Sequence, residues 1–258
     1  MGKPGLRIAF AVLIIAILAA CLWLALSPRE PSYKGKSLSV WLEPYRPEYS
    51  GDTSDADEAV RHTGTNAIPT LMRLLRARDS VSKTRMIGIL GRLKIHITPA
   101  RDKNIEADNA FVILGPDAVP AVPELVQLYD ENISADSQTL SAGVLGRIGP
   151  SAAAAIPSLV RGLANTNDQA RWNAVWALGQ IHGEPQLVVP ELVKLSRHSN
   201  PKDRRYLAEA LGNFGTNAKS AVPDLVGWLN DPSRPTRIRA TNALLQIDPE
   251  DAAKAGVK

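Results

Sequence analysis

The sequence predicts an all-α solenoid, a row of helix pairs stacked one on the next. Three observations predict it. The first is a skeleton of a polar residue, alanine three and six places on, then leucine and glycine. It is clearest at Arg171 (Ala174, Ala177, Leu178, Gly179). It returns at Gln138 (Ser141, Val144, Leu145, Gly146), Arg204 (Leu207, Ala210, Leu211, Gly212) and Arg237 (Ala240, Ala243, Leu244). These four starts are each 33 residues apart, a period that one supersecondary unit per repeat would produce. Looser copies begin at Lys83 (Met86, Ile89, Leu90, Gly91) and, most degraded, at Asn104 (Ala107, Ala110, Phe111). The second observation is a Pro-x-Leu element ahead of the skeleton, at Pro69, Pro123, Pro157, Pro190 and Pro223. The third is a marked joint between units: Gly115-Pro116, Gly149-Pro150, Gly183 and Gly215.

Each mark has a physical reason. Proline suits the first turn of a helix, where its missing N–H has no partner to lose. Leu71, Leu125, Leu159, Leu192 and Leu225 follow these prolines at one phase, so each opens a first helix with a core-facing leucine. The polar starts then open a second helix. Glycine at the joint stops that helix, and a following proline cannot continue it.

The pairing of Gly-Pro-x-Ala-x-x-Ala-[Val/Ile]-Pro-x-Leu with Arg-x-x-Ala-x-x-Ala-Leu-Gly resembles the HEAT repeat, in the short bacterial form named after phycobilisome lyases. The resemblance covers roughly residues 55–249. It implies a HEAT-type right-handed superhelix of antiparallel helix pairs, whose second helices line the concave surface. It does not carry a function with it, because one fold hosts many roles.

Taken in order, the chain opens with a short basic tail, residues 1–7, containing Lys3 and Arg7. Residues 8–26, from Ile8 to Leu26, form a continuous uncharged apolar run of 19 residues, long enough to span a bilayer as a transmembrane anchor. Two other readings stand beside it. A cleaved signal peptide usually has a shorter apolar core. Leu18-Ala19-Ala20-Cys21 resembles a lipobox, which would place lipid on Cys21, although the sequence stays apolar after it. The basic tail favours a cytoplasmic N-terminus and a solenoid outside the bacterial cytoplasmic membrane. Arg29, Lys34 and Lys36 on the far side pull the other way.

Residues 27–54 are broken by Pro28, Pro31, Gly35, Pro44, Pro47 and Gly51. They read as a linker and an N-terminal cap, with a short helix over 37–42 capped by Ser37. Residues 55–114 hold irregular repeats: a helix near Asp57–His62, the Pro69 helix, and a helix from Lys83 to Lys94. Asn104 comes only 21 residues after Lys83, too soon for a full pair, so an insertion or a unit lacking its first helix is expected there. Residues 115–249 are regular, and 250–258 form a C-terminal tail.

Composition sets limits on function. The net charge is +4, but all 26 acidic residues follow the apolar run, leaving 28 − 26 = +2 for the rest. That balance, with no clustered motif, gives no reason to expect nucleic acid as a partner. A single cysteine permits no internal disulfide. His62, His96, His182 and His198 lack metal-ligand spacing, and no His-Glu pair, phosphate loop or nucleophile elbow occurs. No cofactor, metal or catalytic residue is therefore expected. The polar starts Lys83, Gln138, Arg171, Arg204 and Arg237 form a ladder. Each is read as bridging a turn carboxylate or a backbone carbonyl, with a basic rail for an acidic partner as the other reading.

One pair of residues points to a partner. On the Arg171 helix, Ala174, Ala177, Leu178 and Ile181 share a stripe, while Trp172 and Trp176 fall near the opposite side. Their counterparts are Thr139 and Gly143, Arg205 and Glu209, Ile238 and Asn242. One reading is an aromatic platform on the concave face, flanked by Gln169, Arg205 and Glu209, which would serve protein binding. The other is that the rings pack between neighbouring second helices, Trp176 the more closely. The functional expectation is a non-enzymatic, membrane-tethered scaffold for an unknown protein. Its alternatives are a lyase-associated or chaperone-like protein and an envelope spacer.

Overall fold

The computed structural model describes residues 30–257, except 94, 96 and 198–200. The tail 1–7, the apolar run Ile8–Leu26, Cys21, His96 and His198 lie outside the described residues.

The described chain opens with a small hairpin, β1 (Ser32–Tyr33) against β2 (Lys36–Ser37), antiparallel with Tyr33 opposite Lys36. This hairpin is an addition to the all-α expectation, which the rest of the described chain keeps. The turn takes positive φ at Lys34 and Gly35. Helix α1 (Leu38–Trp41) follows, but Ser37 makes no side-chain cap; Glu30 instead accepts from the backbone N–H of Ser39 at 2.8 Å. Leu38 and Leu42 are fully buried, so this segment covers the first apolar face of the array.

The remaining helices are α2 (Ser54–Thr63), α3 (Ile68–Leu75), α4 (Val81–Arg92), α5 (Ala100–Leu114), α6 (Val122–Glu131) and α7 (Ala135–Ile148). They continue with α8 (Ile156–Gly162), α9 (Asp168–Ile181), α10 (Pro185–Arg197), α11 (Pro201–Asn213), α12 (Val222–Trp228), α13 (Arg234–Ile247) and α14 (Pro249–Lys254). Ser134 and Asn167 cap α7 and α9 by accepting from Ser137 and Ala170 N–H groups. Second helices end where Gly64, Gly115, Gly149 and Gly215 take positive φ, and a 3-10 segment then leads into the next first helix. The joint after α9 differs from the sequence expectation. His182, not Gly183, takes the left-handed conformation, at φ 38°.

The leucine-glycine pair of the skeleton has a packing cause. Leu145, Leu178, Leu211 and Leu244 are at most 1% exposed, in one continuous core. A Cβ on Gly179 would lie 2.7 Å from the Ala210 Cα, and one on Gly146 2.9 Å from the Ala177 Cα. Gly212 meets Ala243 in the same way at 3.1 Å. The second helices α7, α9, α11 and α13 therefore approach backbone to backbone, and each glycine is set by its neighbour's alanine.

The irregular region resolves against the skeleton. Helix α4, which carries the Lys83 copy, buries no residue. Helix α5, the degraded copy, fully buries Ala107, Ala110 and Phe111 and packs on α3 and α7. So α5 is the second helix of this unit and α4 is inserted ahead of it. Asp79 accepts from the N–H of Ala100 at 2.9 Å, which joins the two ends of the insertion.

Candidate functional site

Gln138, Arg171, Arg204 and Arg237 sit at the starts of second helices and Lys83 at the start of the inserted α4, and their side chains reach loop residues. Arg171 donates to the Asn165 carbonyl at 2.6 Å and pairs with Asp168. Arg237 donates to the Asp231 carbonyl at 2.7 Å. Arg204 reaches across to the next unit, where the Asp231 carboxylate is fully buried, at 2.8 Å. Gln138 accepts from Asn165 at 2.9 Å. Lys83 holds Asp79 and the Thr98 carbonyl. Asn104 does for α5 what arginine does elsewhere: its amide donates to the carbonyls of Leu74, Leu75 and Ala77. The contacts from Arg171, Arg237 and Asn104 satisfy carbonyls at and just beyond first-helix ends, and Arg204 pairs a buried carboxylate.

The two tryptophans occupy different places. Trp172 is only 7% exposed, which corrects the expectation of an exposed platform there. Its ring stacks on Tyr206 of the next unit, with centroids 6.0 Å apart and planes inclined by 16°. Arg171 covers Trp172 at 4.9 Å, and Arg205 covers Tyr206 at 4.4 Å. The result is a stack of Arg, Trp, Tyr and Arg across two repeats, stabilised by ring contact and cation–π attraction. Tyr206 was not singled out by the sequence reading. Its signal is its position, one period plus one residue beyond Trp172. Trp176 is half-buried, the less closely packed of the two rings, against expectation. Its ring occupies the space beside Gly146, where a Cβ would meet it at 2.5 Å.

Around Trp176 the second helices present a continuous face. Each is stitched to the helix before it by a side chain. Arg147 pairs with Asp108, and Asn173 donates to the Thr139 carbonyl at 2.8 Å. Asn213 donates to the Gly179 carbonyl at 3.1 Å, and Arg239 pairs with Glu209 at 3.3 Å. Gln169 donates to Asn173 at 3.1 Å. Burial pushes the Asp108 carboxyl above its usual value, although Arg147 opposes the shift. A cleft of about 390 Å³ runs along this face, lined by Gln180, His182, Asn213 and Gln246. At its C-terminal end Ile238 and Leu245 are 48% and 41% exposed. Amides, one half-buried indole and exposed aliphatics can grip peptide backbone and apolar side chains together. Among the described residues, no group of three His, Cys, Asp or Glu could hold a metal ion.

Comparison with known proteins adds the following. A family profile described as HEAT repeats matches residues 189–255. An engineered protein from a structural genomics consortium is similar at 18% identity and TM-score 0.50, over 84% of this chain and 97% of its own. A designed armadillo repeat protein, solved in complex with the peptide (KR)4, is similar at 15% identity and TM-score 0.51, over 83% of this chain and 100% of its own. A second engineered protein is similar at 20% identity and TM-score 0.50, over 83% and 99%. No curated protein matches. Residues 189–255 thus carry HEAT repeats, and the chain has a HEAT- and armadillo-type solenoid fold.

Proposed function

We propose that the protein is a non-catalytic recognition module. The face formed by α7, α9, α11 and α13 holds a segment of a partner protein. The observation that carries this reading is the continuity of that face: amide side chains at 180, 242 and 246 beside the stitching amides 173 and 213, the Trp176 ring, and exposed Ile238 and Leu245. Amides in a row pair with extended backbone, and exposed apolar groups beside them supply anchors. The designed armadillo relative, which holds a peptide, supports the same use of a stacked-helix surface.

The module is tethered by residues 8–26 to a bacterial cytoplasmic membrane, with the solenoid outside. The support is the 19 uncharged apolar residues and the basic tail before them. The test is photo-crosslinking in native membranes from probes at Gln180 and Asn242, with Asp117 on a joint between units as control. Discrete partner adducts from Gln180 and Asn242 alone support the face. Adducts from Asp117 alone would overturn it.

A further inference from the structure

Helix α4 is an insertion that contributes no buried residue to the array, yet it is apolar. Val81, Met86, Ile89, Leu93 and Ile95 are 73%, 49%, 61%, 65% and 51% exposed. They are five of the twelve exposed large hydrophobics among the described residues, gathered into fifteen positions. At about 100° per residue, Ile89, Leu93, Met86, Leu90 and Ile87 share an arc of about 160°. Arg85 and Arg92 lie together along one edge of that arc, both exposed. Thr84, Gly88 and Gly91 lie opposite together with Val81 of the first turn, and Ser82 falls within the arc. Lys83, within the arc, is turned back onto Asp79 and the Thr98 carbonyl.

The charge is as uneven as the hydropathy. Residues 81–93 hold Lys83, Arg85 and Arg92 and no acidic residue, a net +3 of the chain's +4. The rest of the chain sums to (30 − 3) − 26 = +1. Neither Arg85 nor Arg92 forms an ion pair among the described residues.

We infer that α4 lies in the headgroup region of an anionic lipid bilayer, with its apolar arc in the acyl boundary and its arginines on lipid phosphates. A basic helix with one broad apolar side has the composition of a membrane-surface helix. Arginine at the edge of the apolar arc can bury its stem and keep its charge at the phosphates. The place of α4 in the chain favours a membrane over a protein groove. The first described residue, Glu30, lies 3.6 Å from Arg73 on α3. Helix α3 leads through five residues, 76–80, into α4. Glu30, four residues after the apolar run 8–26 in sequence, and the inserted helix therefore belong to the same end of the array. The inference rests on the tether of the proposed function but not on its partner-binding face.

The test uses the full chain with vesicles of phosphatidylglycerol and phosphatidylcholine, carrying a spin label on Ile89→Cys in a Cys21→Ser background. The label should be reached by oxygen in preference to a water-soluble nickel chelate. Replacing Arg85 or Arg92 with glutamine should each lower the ratio of docked to undocked label about fivefold. A label that stays open to the chelate with anionic vesicles overturns the inference. So does spin–spin coupling between copies at position 89, which would make α4 a dimer contact. Neither result bears on crosslinks from Gln180 and Asn242, so the two proposals fail separately.

Discussion

The regular array over 115–249 and the irregular unit over 68–114 use the same skeleton to opposite ends. In the regular part, the polar start, at least one small position and the leucine all serve one close helix contact, with a glycine after the leucine in α7, α9 and α11. In the irregular unit, the better copy of the skeleton, at Lys83, belongs to a helix that buries nothing. The poorer copy, at Asn104, makes the contacts. What separates them is the pair of small positions. Met86 and Ile89 stand in α4 where α5 has Ala107 and Ala110, both 0% exposed. Helices that meet backbone to backbone need at least one small residue there, and α4 has none, whatever opens the helix.

The difference can be tested from its largest consequence downwards. Leu211→Ala, at a fully buried position, should cost about 2–5 kcal/mol in chemical denaturation. Ile89→Ala in α4 should change stability by no more than about 0.5 kcal/mol. Equal losses would mean that α4 is packed.

The second test concerns the cap that closes the irregular end. Arg46 bonds Glu106 of α5 at 2.5 Å, and the glutamate side chain is 3% exposed. Burial raises the Glu106 carboxyl above its ordinary value, and Arg46 opposes that. Arg46→Met should cost about 2 kcal/mol near neutral pH, less than the roughly 3–5 kcal/mol of a fully buried pair, because Arg46 keeps some water. A raised carboxyl pKa means the folded state holds the proton more tightly than the unfolded state. The deficit of Arg46→Met should therefore shrink as pH falls through the raised Glu106 value. A deficit that grows on acidification would contradict the assigned burial.

The third test is a reversal of sign at one skeleton position. Gly179→Ala must displace the Ala210 backbone and should cost about 1–3 kcal/mol. Gly91→Ala meets nothing within 4 Å and should stabilise α4 by up to about 1 kcal/mol, read as added helicity by circular dichroism.

Much of the fold was legible in the sequence because each signal had a single cause. The leucine after each proline is a core residue, and the 33-residue period fixes which helix follows which. The hairpin was not legible, because two-residue strands leave no alternation to read. The short spacing from Lys83 to Asn104 signalled an insertion, but the polar starts left open which helix is inserted, although Ala107 and Ala110 already marked α5. The site was legible only in part. Spacing placed Trp172 and Trp176 opposite the alanine stripe, but burial between repeats depends on the next unit, where Tyr206 meets Trp172. The stitch from Asn213 to the Gly179 carbonyl likewise joins two repeats that no single-helix reading connects.

The central claim is that α4 interrupts an otherwise regular unit between Asp79 and the start of α5. The direct measurement is thermal and chemical unfolding of the full chain with residues 80–99 replaced by a short glycine linker. Asp79 and the Ala100 N–H already meet at 2.9 Å, so the ends need not move. The account predicts one cooperative transition, with stability within about 1 kcal/mol of the parent chain. Loss of the cooperative transition, or exposure of Ala107 and Phe111 to rapid hydrogen exchange, would contradict it.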